Sequence, residues 1–390
     1  MTAVSTGRVL LETIEGGDSS PEGPRVARAV RRLAPYEPTT SLGRIADHPE
    51  QSPLKLDWNE ATIPPSPRVL EALTDALAGG VSLNWYPELT SPRLRALLAD
   101  YTGVAADRLL VTNGSDDALA LACHTYLDPG DEVVVPVPTY THFLVFAQSV
   151  GGRIEEVRFK DAFELDVARI LAAIQPRTKL VYLVSPNNPT GVTYSKKVVT
   201  RVLEHAPHAM VIVDEAYFEF FGHSVIELVD RYPNLLVTRT FSKSFGLAGL
   251  RIGYLAAHPR TIPDLRRLFN PKSVNALGQV AAAAALEDIA YVKDYVAEVD
   301  LGKEMFVEFC KERGLPARST PANFVLVQPP DPVGYCRDLA EDGVYVRDRS
   351  TVPEVTGWVR VGAGTQDQMR EVIRRIRARE CGCRGGCQSG

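Results

Sequence analysis

Short and almost wholly apolar runs recur between residues 109 and 257, and they alternate with segments of helical spacing. Examples of the apolar runs are RLLVT, EVVVPVP, TKLVYLV, AMVIV and NLLVT. β-Branched residues fill most of their positions, which is typical of strands buried on both faces of a sheet. Intervening segments such as KKVVTRVLEHA place apolar residues three and four apart, as an amphipathic helix does. This alternation predicts an α/β chain built on a mainly parallel sheet.

The alternation ends after about residue 270. A long helical region follows, and then come the short strands NFVLVQ, GVYVRD and GWVRVG and a final helix, QDQMREVIRRIRARE. This order predicts a small α+β unit at the C-terminus. We therefore expect an N-terminal arm at 1–50, a large domain at 51–285, a small domain at 286–380 and a disordered tail at 381–390.

Composition narrows the classes of function. The 390 residues carry a formal net charge of −5, so there is no basic excess of the kind that attracts nucleic acid. No apolar run approaches the ~20 residues that span a bilayer, and the N-terminus lacks the regions of a signal peptide. We expect a cytoplasmic protein that binds neither membrane nor nucleic acid. Three of the six cysteines lie in the Gly-rich tail CGCRGGCQSG without a nearby histidine, so we predict no metal site.

Residues able to do chemistry follow three consecutive apolar strands. SPNNPTG (185–191) follows TKLVYLV, DEAYFEF (214–220) follows AMVIV, and TFSKSFGLAGLR (240–251) follows NLLVTR. Parallel strands end at one edge of a sheet, and open α/β sheets bind ligands at that edge. The sequence therefore predicts that these three segments form one site.

Two side chains in these segments suggest the type of cofactor. Asp214 ends an apolar strand, and a half-buried carboxylate needs a cationic or hydrogen-bonding partner. Lys243 stands on the next loop, where partial burial near positive charge turns a lysine into an amine nucleophile. Arg251, Ser242, Thr240 and the turn Asn113-Gly114-Ser115 before a helix supply the donors that a phosphate favours. A lysine, a carboxylate and a phosphate cradle together predict pyridoxal 5′-phosphate (PLP), bound as a Schiff base.

The same motifs resemble those of fold-type I PLP-dependent aminotransferases of class I/II, and most of all those of histidinol-phosphate aminotransferases. The resemblance runs from about Leu56 to Arg379. The three segments above carry the superfamily likeness. The closer likeness rests on WYPE (85–88), TNGSDDAL (112–119), PTYTHF (138–143), ANFVLV (322–327) and VRDRSTVPEVTGWVRVG (346–362). The resemblance implies a large domain with a mainly parallel seven-stranded sheet and a small C-terminal α+β domain.

The resemblance also implies roles at the cofactor. Lys243 forms the Schiff base and then moves a proton, and Asp214 pairs with the pyridine nitrogen. Asn188 and Tyr217 bond the 3′-oxygen of the ring, and Tyr140 stacks on its face. The phosphate is held by Gly114, Ser115, Asp116, Thr240, Ser242 and Arg251.

Further implied roles concern the partner subunit and the substrate. Tyr86 reaches the cofactor phosphate of a second subunit, which implies a homodimer with shared active sites. Arg360 clamps a substrate carboxylate, with Asn323 close to it. Arg347 either binds a substrate phosphate or pairs with an acidic residue on the surface. Ile63 stands where the family usually has a tyrosine that helps to bind the substrate phosphate, which puts a phosphorylated substrate in doubt.

These features predict an aminotransferase that acts between a 2-oxo acid and an L-amino acid or a histidinol-phosphate-like amino-alcohol phosphate. A PLP-dependent decarboxylase, cyclase or eliminating enzyme would carry nearly the same motifs and stays open as the alternative. A ligand-sensing domain of a regulator is disfavoured, because the first fifty residues are too short and too rich in Pro and Gly for a winged helix.

Overall fold

The structure is a computed structural model that describes residues 24–35, 40–47 and 52–380. Most of the expected N-terminal arm and all of the expected disordered tail, with its three cysteines, lie outside the described residues. No helix within the described ranges is long and apolar enough to cross a membrane.

Strands and helices alternate through the first two thirds of the chain, as the sequence predicts. The strands are β1 Leu54–Lys55, β2 Leu109–Thr112, β3 Glu132–Val137, β4 Arg153–Arg158, β5 Thr178–Val184, β6 Met210–Asp214, β7 Leu235–Thr240, β8 Gly253–Ala257, β9 Ala317–Ser319, β10 Phe324–Val327, β11 Val344–Tyr345, β12 Arg347–Asp348 and β13 Val359–Gly362. The helices are α1 Leu42–Ala46, α2 Pro67–Asp75, α3 Pro92–Thr102, α4 Ser115–Tyr126, α5 Thr141–Ser149, α6 Val167–Ala173, α7 Lys196–His205, α8 Phe218–Phe221, α9 Ile262–Leu265, α10 Ala276–Glu287, α11 Ile289–Glu312, α12 Pro332–Glu341 and α13 Gln366–Glu380.

A seven-stranded sheet of order β2-β8-β7-β6-β5-β3-β4 forms the large unit. Strand β8 runs antiparallel to both neighbours, and the other pairings are parallel. The predicted mainly parallel, seven-stranded sheet is thus confirmed. Successive side chains enter separate cores, since Val211 packs on one face of the sheet and Ile212 on the other. This is why the central strands are apolar at nearly every position.

Register brings the three chemistry-bearing segments to one edge. In the sheet, Asp214 at the end of β6 pairs with Val184 of β5 on one side and with Thr238 of β7 on the other. The segments that continue from these strands therefore leave the sheet side by side. This is the arrangement that places ligands at the carboxyl edge of an open α/β sheet.

The C-terminal unit is a four-stranded antiparallel sheet of order β12-β13-β10-β9 that packs against helices α11 and α13. The long predicted helical region is divided at Asp288 into α10 and α11. Strand β1 pairs in parallel with β11, and Leu56 lies in the core of this unit. Residues 54–56, which we expected in a large domain starting at 51, therefore belong by their contacts to the small unit.

Candidate active site

Asp214 is a buried carboxylate at the centre of the site. Its Oδ2 accepts a hydrogen bond from the Tyr182 hydroxyl at 2.9 Å, and its Oδ1 accepts one from the Ala216 N–H at 3.2 Å. Burial raises the pKa of Asp214 to about 6, although these bonds oppose the shift. A positively charged group beside this carboxylate would be strongly favoured.

Lys243 is partly buried on the loop that follows β7. Its Nζ donates to the Trp58 carbonyl oxygen at 2.9 Å and lies 5.9 Å from the centre of the Tyr217 ring. Burial lowers the pKa of Lys243 to about 8, and the positive charge of Arg360 adds to the decrease. A large fraction of this amine is therefore neutral and nucleophilic near pH 8.

Hydrogen bonds to neighbouring segments hold the lysine loop in place. The Ser244 hydroxyl donates to Glu219 Oε2 at 2.9 Å, and the Ser242 N–H donates to Thr240 Oγ1 at 3.1 Å. Glu219 also accepts from the Tyr101 hydroxyl at 3.2 Å. The loop is thus supported on both sides of Lys243.

Donors for an anion converge at the start of helix α4, which begins at Ser115. Gly114 has φ 84°, and a Cβ at this position would lie 2.7 Å from Arg251 Nη2. The Arg251 guanidinium also contacts Ser242 Oγ and Asp116 Oδ2, each at 3.4 Å. Backbone N–H groups, a hydroxyl and a guanidinium at the N-terminus of a helix form the kind of cradle that binds phosphate.

The other predicted cofactor contacts lie in the same part of the molecule. The Tyr140 hydroxyl donates to Asp116 Oδ1 at 2.9 Å, which ties its ring to the start of α4. Thr240 is buried beside Ser242. A carboxylate for a ring nitrogen, an amine for an aldehyde and a cradle for a phosphate together fit PLP.

Two arginine side chains, those of Arg349 and Arg360, meet at Asn188. Its Oδ1 accepts from Arg360 Nη1 at 2.7 Å and from Arg349 Nη2 at 3.3 Å. Arg360 is 5% exposed and also donates to the Asp57 carbonyl oxygen. Arg347 stands directly opposite Arg360 in the β12–β13 pair. Glu354, which follows Arg347 by seven residues in the sequence, forms an ion pair with Arg158.

Asn323 and Asn59 connect the small unit to the cofactor side of the site. Asn323 Nδ2 donates to the Asn59 carbonyl oxygen at 3.0 Å, and Asn59 Nδ2 donates to the Tyr217 hydroxyl at 3.0 Å. Asn59 is fully buried and has φ 55°, a conformation that asparagine tolerates better than most residues. Burial raises the pKa of Tyr217, while Arg360 and the Asn59 bond oppose that shift.

Sequence reasoning missed Asn59 and Arg349. A signal for Arg349 was present, because it follows Arg347 by two residues and alternate residues of a strand share a face. Asn59 carried no comparable signal, since its bond to Tyr217 joins positions 158 residues apart.

Two further predicted positions have different surroundings. Tyr86 is 79% exposed, and the Nζ of Lys272 lies 4.9 Å from the centre of its ring. Its expected place in a partner's site stays a prediction. Ile63 packs against the apolar cluster that contains Tyr217, Phe220 and Tyr295, and it offers no side-chain donor.

Comparisons with known proteins all find aminotransferases. The sequence profile of the family described as "Aminotransferase class I and II" matches residues 51–376. The chain is 39% identical to a dihydroxyacetone phosphate transaminase of Campylobacter jejuni, over 89% of this chain and 95% of that protein. It is 35% identical to a histidinol-phosphate aminotransferase of Moorella thermoacetica, over 93% of this chain and 95% of that protein. The fold is also similar to the solved structure of a histidinol-phosphate aminotransferase from Sinorhizobium meliloti in complex with PLP. The TM-score is 0.78 at 25% sequence identity, and the match covers 91% of this chain and 99% of that one.

Proposed function

The chain belongs to the class I and II aminotransferases and uses PLP, and we propose that it moves an amino group between a small phosphorylated amine and a 2-oxo acid. Two similar proteins are named for histidinol phosphate and for dihydroxyacetone phosphate. The amine-bearing carbon of histidinol phosphate and the keto carbon of dihydroxyacetone phosphate are each bonded to a CH₂–O–phosphate group. We infer that the substrate of this chain shares that unit.

The observation that carries the proposal is the position of the buried cation Arg360, which donates to Asn188 Oδ1 at 2.7 Å and lies close enough to Lys243 for its charge to act on that amine. The Arg360 charge lowers the pKa of Lys243, so a cation suited to a substrate anion acts directly on the reactive amine. An anion held at Arg360 would place the amine-bearing carbon of a short substrate near Lys243.

Each predicted residue has a role in this proposal. When bound, PLP supplies an aldehyde for amine exchange and a ring that delocalises the electron pair left by proton removal. Lys243 would hold the cofactor through its Nζ, and its amine, when neutral, would take and return the substrate proton. Asp214 keeps the ring nitrogen protonated, and Tyr217 and Asn188 bond the 3′-oxygen. Tyr140 covers the ring, and the cradle at Gly114, Ser115, Asp116, Thr240, Ser242 and Arg251 holds the phosphate.

We propose in addition that two copies of the chain form the working enzyme, with Tyr86 of each copy completing the other's phosphate site. On the substrate side, Arg360 and Asn323 position the substrate, and Arg347 lies opposite Arg360 in the β12–β13 pair. Arg347 joins Arg360 at the substrate anion in this proposal.

A visible-absorbance titration of the purified holoenzyme tests the function. The cofactor band is followed during addition of L-glutamate, L-histidinol phosphate, 2-amino-3-hydroxypropyl phosphate or L-alanine. We expect conversion to the pyridoxamine form by L-glutamate and by at least one phosphorylated amine at much lower concentration than by L-alanine. Conversion by amino acids alone would remove the phosphorylated substrate. Release of CO₂ or ammonia without an oxo-acid acceptor would replace transfer by decarboxylation or elimination.

A further inference from the structure

Glu219 is a partly buried carboxylate beside the lysine loop, and the proposed reaction does not use it. It lies on α8, the four-residue helix that begins directly after Tyr217. Its Oε2 accepts from the Ser244 hydroxyl at 2.9 Å, and its Oε1 accepts from the Tyr101 hydroxyl at 3.2 Å. Hydrogen bonds to a carboxylate are roughly twice as strong as those between neutral groups. Glu219 therefore links the residue that follows Lys243 to the segment that carries Tyr217.

The two sides of Lys243 are held in different ways. Before it, the Phe241 N–H donates to the Ile252 carbonyl oxygen at 3.0 Å, which extends the pairing of β7 with β8. After it, the side chain of Ser244 is 4% exposed and bonds Glu219. Strand pairing thus fixes the backbone before the lysine, and a side-chain bond to a carboxylate holds it afterwards.

Tyr101 supports this arrangement from helix α3. Its ring packs edge-on against Phe245, with 6.2 Å between the ring centres, and against Phe218, with 6.4 Å. Phe245 belongs to the lysine loop, and Phe218 is the first residue of α8. Tyr101 therefore contacts both of the segments that the bond between Glu219 and Ser244 joins.

A buried cation, Arg239, lies near two carboxylates in this region. It forms an ion pair with Glu215 at 2.9 Å and also donates to the hydroxyls of Ser224 and Tyr254. All three guanidinium nitrogens thus bond groups other than Glu219. Burial raises the pKa of Glu219, and the Arg239 charge opposes that shift from a distance. The direct stabilisation of the Glu219 carboxylate therefore comes from its hydroxyl donors.

We propose that Glu219 is a positioning residue that holds Lys243 in its partly buried place by binding Ser244. The inference deepens the proposed function and rests on it, because it concerns the amine that holds the cofactor there. The Nζ of Lys243 reaches the Trp58 carbonyl oxygen at 2.9 Å, a contact that requires the backbone at Lys243 to stay where it is. Without the bond to Glu219, the loop can move outward and the amine gains access to water.

Release of the loop has a measurable consequence at the amine. Burial is the largest cause of the lowered pKa of Lys243, which is about 8 instead of 10.5. Four charged side chains and one titratable ring also face this amine: Arg360, Lys55, Glu60, Asp116 and Tyr217. None of these five lies on α8 or on the lysine loop. An amine that reaches water should therefore have a pKa closer to 10.5.

The test measures the pH dependence of Lys243 reactivity in the full-length apoprotein. Acetic anhydride acylates neutral amines, and peptide mass spectrometry gives the rate at Lys243 without any need for PLP. Attachment of PLP, trapped with borohydride, is followed in parallel. The variants are Glu219→Ala, Glu219→Gln, Ser244→Ala and the double alanine variant. Glu204→Ala is the matched control, because Glu204 also accepts from a tyrosine hydroxyl, that of Tyr232 at 2.9 Å, but lies on the exposed surface of α7.

We expect Glu219→Ala and Ser244→Ala each to raise the pH midpoint for Lys243 by about one unit. Both rates should then fall about fivefold at pH 8 and less than about 1.5-fold at pH 10, where most of the amine is neutral in every variant. The double variant should change no further, because both substitutions break the same bond. Glu219→Gln retains an acceptor oxygen for Ser244 and, like Glu204→Ala, should stay within about 0.3 units of the wild-type midpoint.

Unchanged midpoints in Glu219→Ala and Ser244→Ala would overturn the proposal. Equal losses at pH 8 and pH 10 would also overturn it, since they indicate general damage to the site. A shift in Glu219→Gln as large as that in Glu219→Ala would do the same, since it indicates an effect of charge. Circular dichroism checks that each variant is folded, and Ser244→Ala decides if Glu219→Ala is not.

The two proposals fail separately. If PLP does not attach to Lys243 of the wild type, the proposed role of that lysine fails, and acylation still tests Glu219. If PLP attaches but the midpoints of the alanine variants match that of the wild type, only the role of Glu219 fails.

Discussion

Burial displaces the pKa values of two side chains in the site in opposite directions. It raises that of Asp214 to about 6 and lowers that of Lys243 to about 8. In each case burial disfavours the charged form of the side chain. A cationic ring nitrogen relieves the cost at Asp214, and loss of a proton relieves it at Lys243. These two shifts suit a ligand with a cationic nitrogen beside Asp214 and an electrophilic carbon beside Lys243.

The first prediction concerns the pH dependence of cofactor attachment. When apoprotein is mixed with PLP, the rate of covalent attachment to Lys243 should rise with pH and level off above a midpoint near 8. Only the neutral amine of Lys243 is nucleophilic. Borohydride trapping at different times measures the rate. Arg360→Gln should raise the midpoint, as the Arg360 charge contributes to the decrease. A midpoint near 10.5, the value for an ordinary lysine, would contradict the prediction.

The same shift has a consequence for stability. The folded-state pKa of Lys243 lies below its unfolded value, so the unfolded chain binds more protons between pH 8 and 10.5. The contribution of Lys243 to the free energy of unfolding of the apoprotein should therefore increase with pH across that window. Urea unfolding of wild type and Lys243→Met at several pH values isolates this contribution, which should be absent from the variant.

The second prediction concerns Asn59. Its amide donates to the Tyr217 hydroxyl, which would make that hydroxyl a better donor in its proposed bond to the 3′-oxygen of the cofactor. Asn59→Gly retains the φ of 55° but removes this donor. We expect the pH midpoint of the cofactor absorbance to rise by roughly 0.5 to 1 unit, the equivalent of about one neutral hydrogen bond. An unchanged midpoint in Asn59→Gly would exclude this positioning role.

At the scale of elements, the start of helix α4 determines how closely the phosphate cradle can pack. Gly114→Ala introduces a Cβ 2.7 Å from Arg251 Nη2 at a φ of 84°. We expect PLP to bind at least about tenfold more weakly, since the guanidinium must move. Gly103→Ala is the control, because Gly103 has a similar φ of 72° but no atom within 4 Å of the added Cβ. The control should lose about 1 kcal/mol of stability and none of its PLP affinity in a fluorescence titration.

Helix α11 is tied to the loop between β9 and β10, which leads into Asn323. Lys303 is buried, and its Nζ donates to the carbonyl oxygens of Thr320 and Ala322, each at 2.9 Å. Lys303→Met leaves two carbonyls without this donor and should lower the free energy of unfolding by about 2–4 kcal/mol. Lys311→Met, on the exposed side of the same helix, should change it by less than about 0.5 kcal/mol. Comparable losses in urea unfolding would refute the structural role of Lys303.

At the scale of the whole molecule, exposed apolar side chains are concentrated near one segment of the large unit. Leu83, Trp85 and Tyr86 are 68–79% exposed, and Leu77 and Leu89 are about half exposed. Such a patch is typical of an interface, and the proposed dimer would cover it. Leu83→Ser combined with Trp85→Ser should therefore give a monomer in sedimentation velocity. The control is Leu301→Ser, at an exposed position on α11, and this variant should remain dimeric. A monomeric wild type would contradict the dimer proposal.

Local sequence was sufficient to predict the mainly parallel sheet and the edge at which the three chemistry-bearing segments leave it. The central strands are buried on both faces, so their period and composition show in the sequence itself. Lys243, Asp214 and the turn at Gly114 stand directly after such strands, and parallel strands end at one edge. The site at that edge followed from local order alone.

Tertiary structure alone decided the contacts between segments that are remote in the sequence. The pairing of β1 with β11 assigns residues 54–56 to the small unit, although they precede the large sheet in the chain. Asn59 reaches Tyr217, and Arg349 and Arg360 meet at Asn188, across 158 to 172 residues. No local period encodes such distances, because each depends on how two separately folded units pack together. The sequence by itself thus determined the chemistry of the cofactor, and the packing of the two units decided which cations gather around Asn188.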